Sequence, residues 1–414
     1  MRRLLLVLTA AAALGVPSPS AASPHIRYGI QDDAWLEYGP GTLQQRLDRL
    51  DALGVDVVRV TVDWRSVEPR RGAFDWEPYD ELLNGLHARG VAPLVTLYGT
   101  PAWANGGRAE NWAPRSRSTF AAFAATTAKR YPFVRLWTIW NEPNQVRWLR
   151  PTSARVYTQT LLNPAYAAIK RASPHSLVAG GVTAPRGSAH GVSPVAWIEG
   201  MAAAHARLDA YAHYPFPLAS GETPTSGGCG HCTTITMATL PRLLADVRRA
   251  FGSRVRIWLT EYGYQTNPPD RLLGVSYAKQ AAYGSAAALR AYEAPRVDIL
   301  IHYLVKDEPD AARWQSGLFT VGDIAKPSYN AFRFPFAQVS RRGLTTTLWG
   351  QIRPGGRNAY VLQEQRRGRW YAVGPAARTT ARGYLRRTVH AGTGTRLRLS
   401  IPALRTYSAV VTVR

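Results

Sequence analysis

Two short stretches hold side chains that could act together on one substrate. Trp140-Asn141-Glu142-Pro143 closes the apolar run Leu136-Trp137-Thr138-Ile139, and Glu261-Tyr262-Gly263 closes Ile257-Trp258-Leu259-Thr260. A carboxylate directly after an apolar run is costly to bury unless it is hydrogen-bonded or used. Here that happens twice, each time beside aromatics. Two glutamates whose surroundings separate their pKa values can divide the work. One stays protonated as a general acid, and the other stays ionised as a nucleophile or charge stabiliser. The duller reading of the pair is two salt-bridged strand ends.

The two glutamates lie about 120 positions apart, so the fold must bring them together. Eight apolar, β-rich runs punctuate the body: His25–Ile30, Asp56–Val62, Ala92–Tyr98, Val134–Trp140, Ser176–Val182, Leu208–His213, Val255–Thr260 and Asp298–Leu304. Helix-like segments separate most of them. Thr42 can cap a helix whose Leu43, Leu47, Leu50 and Leu53 share one face. Tyr79, Leu82, Leu83 and Leu86 repeat the pattern before Gly90. Further helices fit Ser118–Arg130, Ala154–Ala172, Val195–Ala204, Thr239–Phe251, Ser276–Tyr292 and Pro327–Arg333. Nearly all-apolar strands alternating with helices predict a parallel sheet, and eight units fit a closed (β/α)₈ barrel spanning 23–338. A doubly wound open sheet would show a Gly-rich first turn, which Gly29-Ile30-Gln31-Asp32 is not. In such a barrel every strand's C-terminal end emerges on one face, so Glu142 and Glu261 can meet across its mouth.

At these residues the sequence resembles the clan of retaining glycoside hydrolases built on (β/α)₈ barrels, family 5 cellulase-type and family 39 β-xylosidase-type enzymes among them. The resemblance rests on Trp140-Asn141-Glu142-Pro143 at strand four and Thr260-Glu261-Tyr262-Gly263 at strand seven, and extends in overall order from residue 26 to 335. It implies Glu142 as acid/base, Asn141 as the hydrogen-bond partner of the sugar 2-hydroxyl and Glu261 as nucleophile. It implies Arg59 beneath the nucleophile, and His213 or Tyr214 as a further hydrogen-bond partner of the nucleophile. The chain departs from the clan at strand eight, where Ile301-His302-Tyr303-Leu304 stands in place of a closing tryptophan. Tyr303, with Trp314 or Trp103 from loops, is expected to form the sugar platform instead. Trp64, Trp112 and Trp148 also fall in or beside strand-following loops, and Asp32, Asp33 and Asp63 near strand ends. The resemblance implies a carbohydrate substrate, with no cofactor and no metal. A carbohydrate-binding or adhesion protein that keeps the barrel without turnover is the rival reading.

Cys229-Gly230-His231-Cys232 contains the only two cysteines. A thiol-redox role requires a thioredoxin-like context, and zinc requires more ligands than His231 supplies. A local disulfide in a Gly/Ser/Thr-rich loop fits better, provided the compartment is oxidising. Arg2 and Arg3, the apolar Leu4–Val16 and small residues up to Ser23 have the form of a secretory signal over 1–22. The apolar part is too short to span a bilayer. A secreted or wall-associated bacterial protein is therefore expected.

The net charge is +24, with 51 Lys plus Arg against 27 Asp plus Glu. Only five of those cations are lysine, and the body lacks basic clusters interleaved with aromatics, which argues against nucleic acid as a partner. Residues 341–414 hold fifteen arginines and one acid, Glu364. Short alternating runs from Leu344 to Val413, parted by turns such as Pro354-Gly355-Gly356, predict a basic β-sandwich over 340–414. Its Trp-Gly-Gln-x-Arg-Pro-Gly pattern is similar to immunoglobulin-like modules at the ends of exported bacterial proteins. Its charge density predicts attachment to an anionic cell-wall polymer or acidic glycan.

Overall fold

The computed structural model describes Ser23 and residues 25–414. The expected leader, 1–22, lies outside the described residues. Eight parallel strands close into a barrel in chain order: β1 (Arg27–Gln31), β2 (Val57–Asp63), β3 (Ala92–Tyr98), β4 (Leu136–Ile139), β5 (Leu177–Thr183), β6 (Ala210–His213), β7 (Arg256–Tyr262) and β8 (Val297–Tyr303). Register pairs β1 with both β2 and β8, which seals the cylinder.

Strand side chains alternate between lumen and helix layer. Val57, Leu94, Leu136, Ala210, Ala212, Trp258, Ile299 and Ile301 form the apolar cluster that fills the lumen. The opposite faces join the helices in the larger core. The helix Leu43–Leu53 shows how the sequence sets this layer. Thr42 and Gln45 form a reciprocal capping box, Leu47, Leu50 and Leu53 are buried, and Gly54 ends the helix at φ 68°. Each buried leucine contributes roughly 1.5–3 kcal/mol.

The single helix expected over Ala154–Ala172 is divided. A short α-turn, Ala154–Val156, leads into a π-helical stretch, Tyr157–Leu162, and then an α-helix, Asn163–Ala172. Pro164 lacks an N–H and would crowd the carbonyl four residues back, and the wider π turn gives that ring room.

The C-terminal residues form two antiparallel sheets. β9 (Phe336–Arg342), β10 (Thr345–Gln351) and β14 (Tyr384–His390) make the first. β11 (Ala359–Arg366), β12 (Arg369–Ala372), β13 (Ala377–Arg378), β15 (Arg396–Ile401), β16 (Thr406–Tyr407) and β17 (Val411–Thr412) make the second. Leu348, Leu362, Leu385, Leu397, Leu399 and Ile401 belong to one buried cluster shared by the two sheets. β9 escapes a period-two reading because its buried residues, Phe336 and Ala337, are adjacent rather than alternating.

The first sheet packs on the barrel end remote from the strands' C-termini. Tyr292, near the close of the helix Tyr277–Glu293, stacks on Trp349 (5.3 Å) and Tyr384 (4.8 Å). The Arg353 guanidinium sits over Tyr28 of β1 at 3.8 Å and over Phe332 at 4.6 Å. A side chain on Gly54 would meet the Arg353–Pro354 backbone within 3 Å, so glycine serves both the helix end and this junction.

Candidate active site

Glu142, just past β4, and Glu261, the penultimate residue of β7, line one cavity of about 740 Å³. Gln31, Asp33, Thr61, Asp63, Tyr98, Asn141, Trp148, Tyr303 and Trp314 share its wall. All come from strand C-terminal ends or the loops after them, where a parallel barrel gathers its loops.

Backbone geometry after β4 is unusual. Trp140 and Glu142 have φ of 73° and 37°, a left-handed region that costs a non-glycine residue about 1–3 kcal/mol. Trp140 is held there by packing. Its ring is fully buried against Tyr98 (4.9 Å) and Phe120 (6.0 Å), and its indole N–H donates to Trp148 O at 2.7 Å. The main-chain N–H of Trp140 donates to Leu97 O (2.8 Å), which keeps the turn in register with β3. The reversal turns both Asn141 and Glu142 into the cavity.

Arg59, on β2, is the hub of the floor. It is fully buried, pairs with Glu261, and also donates to Gln31, to Thr96 Oγ1 (2.8 Å) and to Asn141 Oδ1 (3.1 Å). Thr96 Oγ1 in turn bonds Thr138 Oγ1 at 2.6 Å. The Tyr214 hydroxyl donates to the same Asn141 Oδ1 at 2.6 Å, and its ring lies 5.1 Å from the Arg59 guanidinium. With its oxygen held by two donors, Asn141 keeps its amide N–H₂ for a group entering the cavity.

The two carboxyls differ in what surrounds them. Burial, then the charge of Glu261, pushes the Glu142 carboxyl up to about 8, so it carries a proton at neutral pH. Burial also raises Glu261, but the charge and hydrogen bond of Arg59 pull against it. The guanidinium beside Glu261 favours the negative charge there, and that charge helps keep Glu142 protonated.

Several expected site residues fall elsewhere. His213 does not reach Glu261. Its ring bonds Thr183 Oγ1 (2.8 Å) and Ile235 O (3.0 Å) in full burial, which pushes its pKa down to about 4. Trp103 is absent from the cavity wall. It packs edge-on against Trp64 (5.6 Å) and donates to Glu68 O (2.9 Å). Asp32 accepts from the main chain of Trp35, Val305 and Lys306 (3.0, 3.1 and 3.1 Å), fastening β1 to the loop after β8. Tyr303 and Trp314 do form an aromatic wall, 5.4 Å apart and edge-on, with Phe216 behind them. Sequence reasoning missed Gln31, Thr96, Thr138 and Phe216. Polar residues inside otherwise apolar strands were the available signal for the first three.

Cys229 and Cys232 are joined by a disulfide. His231 stands close enough to share a metal with them, but both sulfurs are committed to each other. No helix among the described residues is long and apolar enough to cross a membrane.

The sequence model of glycosyl hydrolase family 1 matches residues 41–177, from the first barrel helix to the start of β5 and through the Glu142 turn. No curated protein matches the chain. Among solved structures, a family 39 glycoside hydrolase from Bacteroides cellulosilyticus WH2 superposes with a TM-score of 0.62 at 18% identity, over 91% of this chain and 80% of that one. A monomeric β-xylosidase from Caulobacter crescentus CB15 gives 0.57 at 15% identity, over 89% and 94%. The family 5 subfamily 18 protein from Streptomyces cattleya, solved with GlcNAc, gives 0.56 at 19% identity, over 74% and 78%. These likenesses establish the fold. The family match across the β4 turn, over about a third of the chain, adds a sequence likeness to glycoside hydrolases on that fold.

Proposed function

We propose that the protein is an exported β-glycosidase that cleaves a poly- or oligosaccharide by double displacement. Glu261 attacks the anomeric carbon while Glu142 protonates the departing oxygen. Glu142, now ionised, then takes a proton from the water that releases the sugar. Asn141 holds the 2-hydroxyl, and Tyr303 and Trp314 supply the apolar face. One observation carries this reading: Glu261 bears the Arg59 ion pair, while Glu142, in the same cavity, has its pKa displaced to about 8.

The cleft also supports a substrate class. Seven carboxyl groups line it (Asp33, Glu37, Asp63, Asp75, Glu81, Glu261 and the protonated Glu142), against Arg46 on the wall and Arg59 beneath Glu261. Every Arg46 hydrogen bond goes to a backbone carbonyl, those of Leu36, Glu37, Gly39 and Gly41. With Arg59 committed to Glu261 and Arg46 to backbone carbonyls, the excess of carboxylates favours an uncharged sugar at the reacting centre. The basic C-terminal sheets, by contrast, suit an anionic polymer.

The test is hydrolysis of an aryl β-glycoside panel followed by NMR. A β-configured first product, lost in Glu261→Gln, supports the reading. Inversion, or undiminished activity in that variant, contradicts it.

A further inference from the structure

The second C-terminal sheet turns one face inward and leaves the other free. Register sets which residues lie on each. Leu362 pairs with Leu399 and Glu364 with Leu397, and these leucines are buried in the shared core. Gln363 pairs with Arg398, Gln365 with Trp370, and Ser400 with Tyr407, so these six occupy the outer face. Arg396, two residues before Arg398, projects the same way, and its Nη1 donates to Gln365 Oε1 at 2.6 Å.

Arg398 is built as a receptor. Its guanidinium carbon lies 4.2 Å from the Trp370 ring centre and 3.6 Å from that of Tyr407, rings carried by strands on either side of β15, so the group sits between two aromatics. Nε donates to Gln363 Oε1 (2.9 Å), which fixes the orientation, and the Nη edge, with the Tyr407 hydroxyl near it, faces outward towards an acceptor. A guanidinium stripped of water on its faces donates strongly from its edge. A slot between two ring edges admits a planar group lying in the guanidinium plane, and a carboxylate fits it bidentately. Tetrahedral sulfate or phosphate would press out-of-plane oxygens onto the rings. Arg396 offers a second cation about 7 Å further along the strand, which suits an acceptor that repeats. The surrounding charge agrees, at +14 over residues 341–414.

We propose that this outer face binds a uronate-bearing polysaccharide through Arg398 and Arg396. The face lies on the sheet away from the barrel, and the C-terminal sheets dock under the barrel end opposite the cleft. The bound polymer is therefore an anchor and not the substrate, because the carboxylate-lined cleft repels it. This second clause rests on the glycosidase reading; the binding clause does not.

The experiment uses the full chain in affinity electrophoresis through gels containing polygalacturonic acid, with neutral dextran, dextran sulfate and polyphosphate as separate arms. Expected is retardation by polygalacturonic acid, stronger than by the sulfated or phosphate polymer, absent with dextran, and reduced at least tenfold in Arg396→Gln/Arg398→Gln. Arg398→Lys, which keeps the charge but loses the planar edge, should fall between. Melting curves of each variant confirm folding. Retardation unchanged in both variants, or equal with neutral dextran, would overturn the proposal, as would preference for sulfate or phosphate. For the anchor clause, polygalacturonic acid should remain uncut and leave aryl-glycoside hydrolysis uninhibited. Competitive inhibition would overturn that clause alone, and a chain that binds the polymer yet hydrolyses no glycoside would overturn the glycosidase reading and spare the face.

Discussion

Replacing Glu142 by glutamine removes a proton that the structure holds well above its ordinary range. A carboxyl at about 8 is roughly nine-tenths protonated at pH 7, whereas an ordinary glutamate is only about 0.3% protonated. The burial of Glu142 and its proximity to Glu261 thus raise the population of competent acid by about 300-fold at that pH. Wild-type kcat/KM on a glycoside with a poor leaving group should therefore hold up to near pH 8 and fall above it. Glu142→Gln should lower it by about 10²–10⁴ and flatten the alkaline limb. Substrates with strongly activated leaving groups, which need no proton, should lose much less in the first step and accumulate the glycosyl-enzyme. Stopped-flow and steady-state profiles from pH 5 to 10 read all three effects. An alkaline limb that persists in the variant, or equal losses on both leaving groups, would refute the assignment of that proton to Glu142.

Further outcomes follow from other contacts. Because the folded-state pKa of Glu142 is raised, the protein binds that proton more tightly than the unfolded chain and loses stability as pH climbs from about 4.5 to about 8. Glu142→Gln should raise the Tm, more at pH 9 than at pH 5, and calorimetry at the two pH values checks the sign. Tyr214→Phe removes one of the two donors on Asn141 Oδ1, at a cost of about 0.5–1.5 kcal/mol. The loss should appear as a several-fold lower kcat on substrates with a 2-hydroxyl and be absent on 2-deoxy analogues. The Cys229–Cys232 disulfide closes only a short loop, since three positions separate the cysteines, so reducing it releases little chain entropy. About 2 kcal/mol or less should be lost, seen as a small Tm shift with dithiothreitol. The proposed export predicts a mature chain that begins at Ser23, which N-terminal sequencing of the secreted fraction checks.

The barrel was legible because its strands are almost wholly apolar and its helices carry clear stripes and caps. Leu47, Leu50 and Leu53 announce one face, and Gly54 the stop. The glutamate pair was legible because charge after an apolar strand has few innocent explanations. What could not be read was direction. His213 and Tyr214 are neighbours on one extended segment, so they point to opposite sides; only the structure reveals that Tyr214 meets Asn141 while His213 is bonded to Thr183 and Ile235. Trp103 likewise sits in a strand-following loop, yet faces the Trp64 and Phe120 layer rather than the cavity. Gln31 and Thr96 are far from Arg59 in sequence and gain meaning only in the barrel, where Gln31 is its register partner on β1 and Thr96 lies two residues beyond its β3 partner Leu94. The cleft's acidity was masked by a net charge of +24, because composition averages over surfaces that the fold separates.

The proposed roles of the two carboxylates can be tested on a single modified side chain. Incubation with a 2-deoxy-2-fluoro β-glycoside bearing a good leaving group should trap the sugar, and peptide mapping should locate it on Glu261. Labelling of Glu142 or of any other carboxylate, or turnover of the reagent with no ester formed at Glu261, would contradict the account.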